Sequence, residues 1–331
     1  MKALVTGGGG FLGSVIVRML REQGRQVRSF SRGDYPALTR LGAEQFRGDL
    51  ADRDALLRAT EGCDTVYHVA AKAGIWGSYD EFHRANVTGT ANVLAACRVQ
   101  GIGTLVYTGS PSVVFDGADV EGGDESLPYP TAFHAHYPHT KALAEQLVLA
   151  ANGPELATVS LRPHLIWGPG DNHLAPRILA RARAGKLRRI GSRPCLVDTI
   201  YVDNAAWAHL LAAKRLIPGA PLAGKAYFIS NGEPLPLWEM INRILAAAEL
   251  PPVTSSIPPW AAYAAGMLCE QLWSLLRLAG EPPMTRFVAR ELSTAHWFDI
   301  SAARRDLGYV PEVSIDEGLK RLGIWLARNR A

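Results

Sequence analysis

The sequence predicts an α/β protein: a doubly wound parallel sheet followed by a smaller C-terminal lobe. Three observations predict it. Short apolar runs alternate with amphipathic helical stretches through the first half of the chain. A glycine-rich turn, Gly7-Gly8-Gly9-Gly10-Phe11-Leu12-Gly13, separates the first such run from the first helix. After Pro163 the character changes: prolines and tryptophans become frequent, and Gly168-Pro169-Gly170-Asp171 is a loop signal.

The first strand is the apolar run Ala3-Leu4-Val5. The helix after the turn carries Val15, Val17, Met19 and Leu20, and Gly24 stops it. Between them each glycine has a use. Gly7 permits the tight turn, Gly10 lets the backbone approach a pyrophosphate, and Gly13 lets the helix pack close on the strand. The helix N-terminus offers free N–H groups and a partial positive charge, so the stretch points to a bound dinucleotide on a Rossmann-type sheet. Further strands are expected at 26–31, 44–47, 65–68, 104–108 and 157–162, with helices over 51–60, much of 79–100, and 135–151. Later helices are expected at 174–184, 204–215 and 235–249, and the last begins with a capping box, Ser314-x-x-Glu317. The expected division is a dinucleotide-binding domain at 1–164 and a substrate-binding lobe at 165–331, with 199–215 packing back on the first.

Composition narrows the function classes. With 331 residues, 48% hydrophobic and 20% charged, the chain has the make-up of a soluble globular protein with a large core. The net charge of +4 is small, and the densest basic group (Arg181, Arg183, Lys186, Arg188, Arg189) reads as a solvated helix end, so no nucleic-acid partner is expected. Cys63, Cys97, Cys195 and Cys269 show no metal-like spacing, which fits reduced thiols in a cytoplasmic protein. The chain enters its first strand at once, without an apolar leader, and no export is expected. Residues 250–269 carry no charge, yet Pro251, Pro252, Pro258 and Pro259 interrupt them and Glu270 follows, short of the ~20 apolar residues a membrane span needs.

The chemistry is expected at Tyr137-Pro138-His139-Thr140-Lys141. Four residues apart on a helix, phenol and ammonium share a face. A phenol titrates near ~10, and an adjacent cation lowers that value, tuning it as a general acid/base. The fifth strand runs into Gly109-Ser110-Pro111-Ser112, which the carboxyl edge of such a sheet brings beside the ligand.

Together, Gly7-x-x-Gly10-x-x-Gly13, Ala70-Ala71, Asn86-Val87-x-Gly89-Thr90, Ser110, Tyr137-x-x-x-Lys141, Arg162-Pro163, Tyr201-Val202-Asp203-Asn204 and Ala303-Arg304-x-x-Leu307-Gly308-Tyr309-x-Pro311 resemble the extended short-chain dehydrogenase/reductases. The resemblance spans nearly the whole chain. Tyr107-Thr108 and the run from Ala70 to Gly77 are similar to the 3β-hydroxysteroid dehydrogenase branch. Residues 72–79, 165–171 and 228–236 are similar to bacterial members that reduce long-chain 2-alkyl-3-oxoalkanoic acids to the 3-hydroxy acids in olefin biosynthesis.

The resemblance implies an NAD(P)-dependent oxidoreductase with catalytic residues Ser110, Tyr137 and Lys141, Ser112 being the fallback for Ser110. It implies a cofactor held by Gly7, Gly10, Phe11, Leu12, Gly13, Ser31, Arg32, Asp49, Leu50, Ala70, Ala71, Lys72, Tyr137, Lys141, Arg162 and Pro163, with Asn86 structural. NAD-binding members carry an acidic residue after the second strand; here Phe30-Ser31-Arg32-Gly33 offers a hydroxyl and a guanidinium, which favours NADP(H), although Asp34 lies just beyond. His134, His136 and His139 crowd the tyrosine without a completing ligand, so no metal is expected.

In 260–279, Ala261, Ala265, Leu268, Leu272 and Leu275 share one helical face, opposite Glu270, Ser274 and Arg277. That face is expected to dock on the core; the sharper reading is a cover over alkyl chains that touches a membrane or a partner enzyme. A homodimer, other enzymes of the olefin pathway and a peripheral membrane location fall within what the resemblance allows. The alternatives are a 3β-hydroxysteroid or sterol dehydrogenase, a nucleotide-sugar epimerase or reductase, and a non-catalytic NADP sensor.

Overall fold

The structure is a computed structural model and describes residues 1–329. The last two residues of the expected 165–331 lobe lie outside the described residues. Seven strands, β1 (Lys2–Thr6), β2 (Gln26–Ser31), β3 (Glu44–Arg47), β4 (Thr65–His68), β5 (Thr104–Thr108), β6 (Ala157–Pro163) and β7 (Lys225–Ile229), form one sheet in the order β3-β2-β1-β4-β5-β6-β7. Every neighbouring pair is parallel. The strand order reverses between β1 and β4, and a ligand crevice belongs at the carboxyl ends of strands beside such a reversal.

Apolar side chains cover both faces of the sheet. On one, Val5, Val106, Val159 and Leu161 pack with Ile16, Val17 and Leu20 of the Phe11–Glu22 helix. The Val202–Arg215 helix lies beside it on the same face, and Arg18 pairs with Asp203 at 2.8 Å. On the other face, Leu4, Val66, Leu105 and Tyr107 pack with Leu56, Val93 and Leu94 from the Arg53–Thr60 and Gly89–Val99 helices. A separate core gathers Trp167, Trp238, Ile241, Ile244, Ala262, Ile315 and Leu322.

Several expected elements differ in detail. β7 has no counterpart among the expected strands: Lys-Ala-Tyr-Phe-Ile lies beyond the strand–helix alternation of the first half and is fixed by pairing with β6. The long helix expected within 79–100 is three pieces, Tyr79–Phe82, a wide π-type turn at His83–Thr88, and Gly89–Val99. In that turn Asn86 is buried, accepting from the Lys72 N–H (2.7 Å) and donating to the Lys72 carbonyl (3.1 Å) and to Thr140 Oγ1 (3.1 Å). The capping box is half formed: Ser314 Oγ accepts from the Glu317 N–H at 3.2 Å, while the Glu317 carboxylate turns to Arg321.

The Pro259–Leu275 helix corrects the expectation that its leucine face docks on the core. Leu268, Leu272 and Leu275 are 56%, 48% and 80% exposed, whereas Ala262 and Gly266 are the buried positions. A Cβ on Gly266 would lie 2.6 Å from the Thr285 carbonyl carbon. The helix approaches the Thr285–Arg286 backbone on its smallest residues, which forces the bulky ones outward. Among the described residues no helix is long and apolar enough to cross a membrane. The four cysteines are free thiols.

Candidate active site

The glycine turn is built for close approach. Gly7 has φ of +71°, and a Cβ on it would lie 2.9 Å from Ala70 Cα. Gly10 N–H donates to the Gly7 carbonyl at 2.8 Å and closes the turn, and a Cβ on Gly13 would collide with that same carbonyl. The Phe11–Glu22 helix that follows has no side-chain cap and no acidic residue in its first turn. Its N–H groups and positive end therefore face the cleft without a competing carboxylate, as a pyrophosphate requires.

A cleft of about 820 Å³ opens over the carboxyl ends of the strands. Gly7, Gly10, Phe11, Leu12, Gly13, Ser31, Arg32, Asp49, Leu50, Ala70, Ala71, Lys72, Ser110, Tyr137, Lys141 and Pro163 all line it. Arg162 does not. Its guanidinium turns beneath the floor, where Nη2 and Nε donate to the Glu145 carboxylate at 2.6 and 3.1 Å, both residues being buried. A side chain on the penultimate residue of β6 alternates to the sheet face away from Pro163 and Leu165.

Beside the glycine turn, Ser31 Oγ accepts from the Gly9 N–H at 3.3 Å and Arg32 is exposed at the rim. Tyr35, absent from the expected set, also lines the cleft with its ring against Gly9. An aromatic residue ahead of Pro36 belongs to no motif, so nothing in the sequence marks it. Asp34 is not among the lining residues.

At the other end, Ser110 and Ser112 hydroxyls are 2.8 Å apart, and it is the Ser110 hydroxyl that acts on the Tyr137 phenol, favouring its ionised form. Lys141 is buried, with Nζ donating to the Thr108 carbonyl at 2.6 Å and lying 4.1 Å over the Tyr107 ring. Burial pulls its pKa down to about 7, opposed by the Glu145 carboxylate one turn further along the helix. The expectation that the lysine lowers the tyrosine pKa is not met here. Burial raises the phenol above its ordinary value, the Ser110 hydrogen bond works downward, and the Glu291 charge works upward. The ammonium is committed to the Thr108 carbonyl instead.

Supporting residues fix these groups in place. His68, wedged between Thr6 Oγ1 (2.7 Å) and Thr90 Oγ1 (2.9 Å), is driven by burial down to about 3 and stays neutral. Lys72 pairs with Glu81 at 3.1 Å. His139 stacks on Phe133, His136 packs edge-on against Tyr79, and His134 bonds the Asp116 carbonyl. Among the described residues no group of metal-ligating side chains forms.

With this geometry in place, comparison identifies the family. Residues 4–255 match the model of the 3-beta hydroxysteroid dehydrogenase/isomerase family. The chain belongs to that family. It is an NAD(P)-dependent oxidoreductase of the hydroxysteroid dehydrogenase type, with the extended short-chain dehydrogenase/reductase fold. A 2-alkyl-3-oxoalkanoate reductase of Stenotrophomonas maltophilia (strain K279a) is 59% identical over 324 residues, 97% of this chain and 98% of that protein. A Mus musculus sterol-4-alpha-carboxylate 3-dehydrogenase, decarboxylating, is 36% identical, covering 97% of this chain and 89% of its own. Among solved structures, the UDP-glucose 4-epimerase of Thermus thermophilus in complex with NAD superposes with a TM-score of 0.75 over all of both chains at 25% identity.

In this hydroxysteroid dehydrogenase relative one further residue acts on the phenol through its charge. Glu291 closes the Arg286–Glu291 helix, and burial raises its carboxyl to about 7. No sequence signal ties that short helix to Tyr137; only the fold brings them together.

Proposed function

We propose that the protein reduces a long-chain 2-alkyl-3-oxoalkanoic acid to the 2-alkyl-3-hydroxyalkanoic acid with NADPH, as a step of long-chain olefin biosynthesis. The observation that carries the chemistry is the convergence of Ser110, Tyr137 and Lys141 at one end of a cleft whose other end is the glycine turn. The 2-alkyl-3-oxoalkanoate reductase relative supports the substrate class. The uncapped helix end, the close-approach glycines, and Ser31 with Arg32 in place of a carboxylate fit a phosphorylated dinucleotide.

When bound, the nicotinamide group supplies the hydride that adds to the ketone carbon. The chain does the rest. Ser110 and Tyr137 donate hydrogen bonds to the ketone oxygen and stabilise the charge that develops there. Tyr137 then passes its phenolic proton to that oxygen, giving the alcohol. Lys141 holds the nicotinamide ribose and, relieved of the Thr108 carbonyl, supplies the positive charge that favours proton release. Ala70, Ala71, Lys72, Asp49 and Leu50 position the dinucleotide along the cleft, and residues 165–331 cover the substrate.

The test follows the absorbance of reduced cofactor with purified protein, a 2-alkyl-3-oxoalkanoic acid and, separately, a 3-ketosteroid. Oxidation of NADPH with the ketoacid alone is the expected result; turnover confined to the steroid overturns the substrate assignment. Tyr137→Phe is expected to lower kcat by roughly 10²–10⁴-fold while NADPH affinity stays within about twofold.

A further inference from the structure

A second cavity lies outside the catalytic cleft and shares no lining residue with it. It measures about 450 Å³ and sits where Arg189, Pro194 and Cys195 meet the start of the Leu237–Ala247 helix. That size is within the range that holds small organic ligands. Pro194, Pro236, Leu237, Trp238 and Ala246 make much of its wall apolar.

Its donors set it apart. The Trp238 side chain lines the cavity, the residue is 6% exposed, and its buried Nε1 meets no acceptor among the described residues. Arg189 Nε is buried and unpartnered in the same way, while Nη2 of that guanidinium donates to the Ser192 carbonyl. Asn242, also on the wall, commits Oδ1 to the Val253 N–H at 2.9 Å, and its Nδ2 donates to no described residue. Native folds leave few buried donors without an acceptor, because each forfeits the hydrogen bonds it made in water. Three unused donors around one cavity point to an acceptor that enters from outside.

Charge narrows the acceptor. On the wall, Arg189 and Arg243 stand against a single carboxylate, Glu239. Arg243 Nη2 holds that carboxylate at 2.6 Å and its Nη1 reaches Asp316 at 3.2 Å. Arg189 forms no ion pair among the described residues. One positive charge is left over, and hydrogen bonds from a guanidinium to an anionic oxygen are stronger than those to a neutral one.

We propose that this cavity is a second ligand site, which binds a small amphiphilic carboxylate. The carboxylate takes the N–H groups of Trp238 and Arg189, and the hydrocarbon chain lies along the apolar wall. The proposal does not depend on the substrate of the catalytic cleft, since its readout is local to Trp238.

The test titrates decanoate into isotope-labelled full-length protein and follows the indole N–H resonance of Trp238, identified by its absence in Trp238→Phe. A saturable shift is expected with decanoate. Decanol, which has the chain without the charge, and acetate, which has the charge without the chain, are each expected to bind at least ~10-fold more weakly. Arg189→Met is expected to weaken decanoate at least ~10-fold. Ala246→Phe, at an exposed position on the wall, fills the cavity and leaves both donors in place; it is expected to abolish the shift with the thermal unfolding midpoint unchanged. This second variant keeps the test decisive where Arg189→Met does not fold. A Trp238 resonance that decanoate leaves in place, or that decanol or acetate moves as readily, overturns the proposal. So does a shift that persists in Ala246→Phe, which assigns the binding to the catalytic cleft or another surface.

Discussion

The proposed acid–base apparatus rests on a few side chains whose burial competes with their charges. Burial raises the Tyr137 phenol and lowers Lys141 to about 7, and the opposing contributions come from the Ser110 hydroxyl and the Glu145 carboxylate. Glu291 adds a third titration, its carboxyl raised by burial from an ordinary 4.5 to about 7. Below that value it is neutral; above it, its charge pushes the phenol further up. The wild-type kcat is therefore expected to show a limb near pH 7 that Glu291→Gln flattens without abolishing, because Lys141 titrates in the same range, read from pH–rate profiles of both forms. Stability follows the same proton. Between pH 4.5 and 7 the folded chain holds a proton that the unfolded chain has released, so this group favours folding at low pH and that contribution fades as pH rises through about 7. Arg32 gives a cofactor prediction at the same scale. Arg32→Ala is expected to raise the KM for NADPH by roughly 10–100-fold, as loss of a charge-assisted contact does, and to leave the KM for NADH nearly unchanged.

At the scale of elements, the floor beneath β5 and the Tyr137 helix explains two residues that the motif alone leaves open. Gly109 stands where a Cβ would lie 2.6 Å from Ser160 Oγ and 2.8 Å from Glu145 Oε2, so the strand end has no room for a side chain. Gly109→Ala is expected to destabilise the fold by ~1–3 kcal/mol in urea unfolding. Arg162 was expected on the cofactor and instead neutralises Glu145, which also accepts from Ser160 Oγ and Tyr129 Oη. Arg162→Met leaves a buried carboxylate without its partner. The expected loss is ~3–5 kcal/mol, with little change in KM for the cofactor if residual folded protein is assayed. The helix signals were legible because capping and spacing are local. The π-type turn at His83–Thr88 was not, since it is held by the bonds of Asn86 to Lys72 and Thr140, partners distant in sequence.

Over the whole molecule, the cleft is assembled from the ends of β1, β2, β4, β5 and β6, together with Leu165, Ile166, His173 and Leu174. A ligand that bridges these parts stabilises all of them at once. At about 100-fold excess over Kd it contributes ~2.7 kcal/mol, so NADPH is expected to raise the thermal unfolding midpoint by several degrees and NADH by less. The residues that meet in the cleft were readable in advance wherever chemistry demands a residue type at a short spacing: glycines in a turn, tyrosine and lysine a helical turn apart, serine at a strand end. Those contacts lie within a few residues of one another, and local sterics decide them. Arg162, Tyr35, Glu291 and the outward leucines of the Pro259–Leu275 helix depend on what stands opposite them in space. The same amphipathic spacing serves a buried or an exposed face, and a buried guanidinium suits a phosphate or a carboxylate alike. Packing against Thr285 in one case and against Glu145 in the other made the choice, and only long-range contacts carry that information.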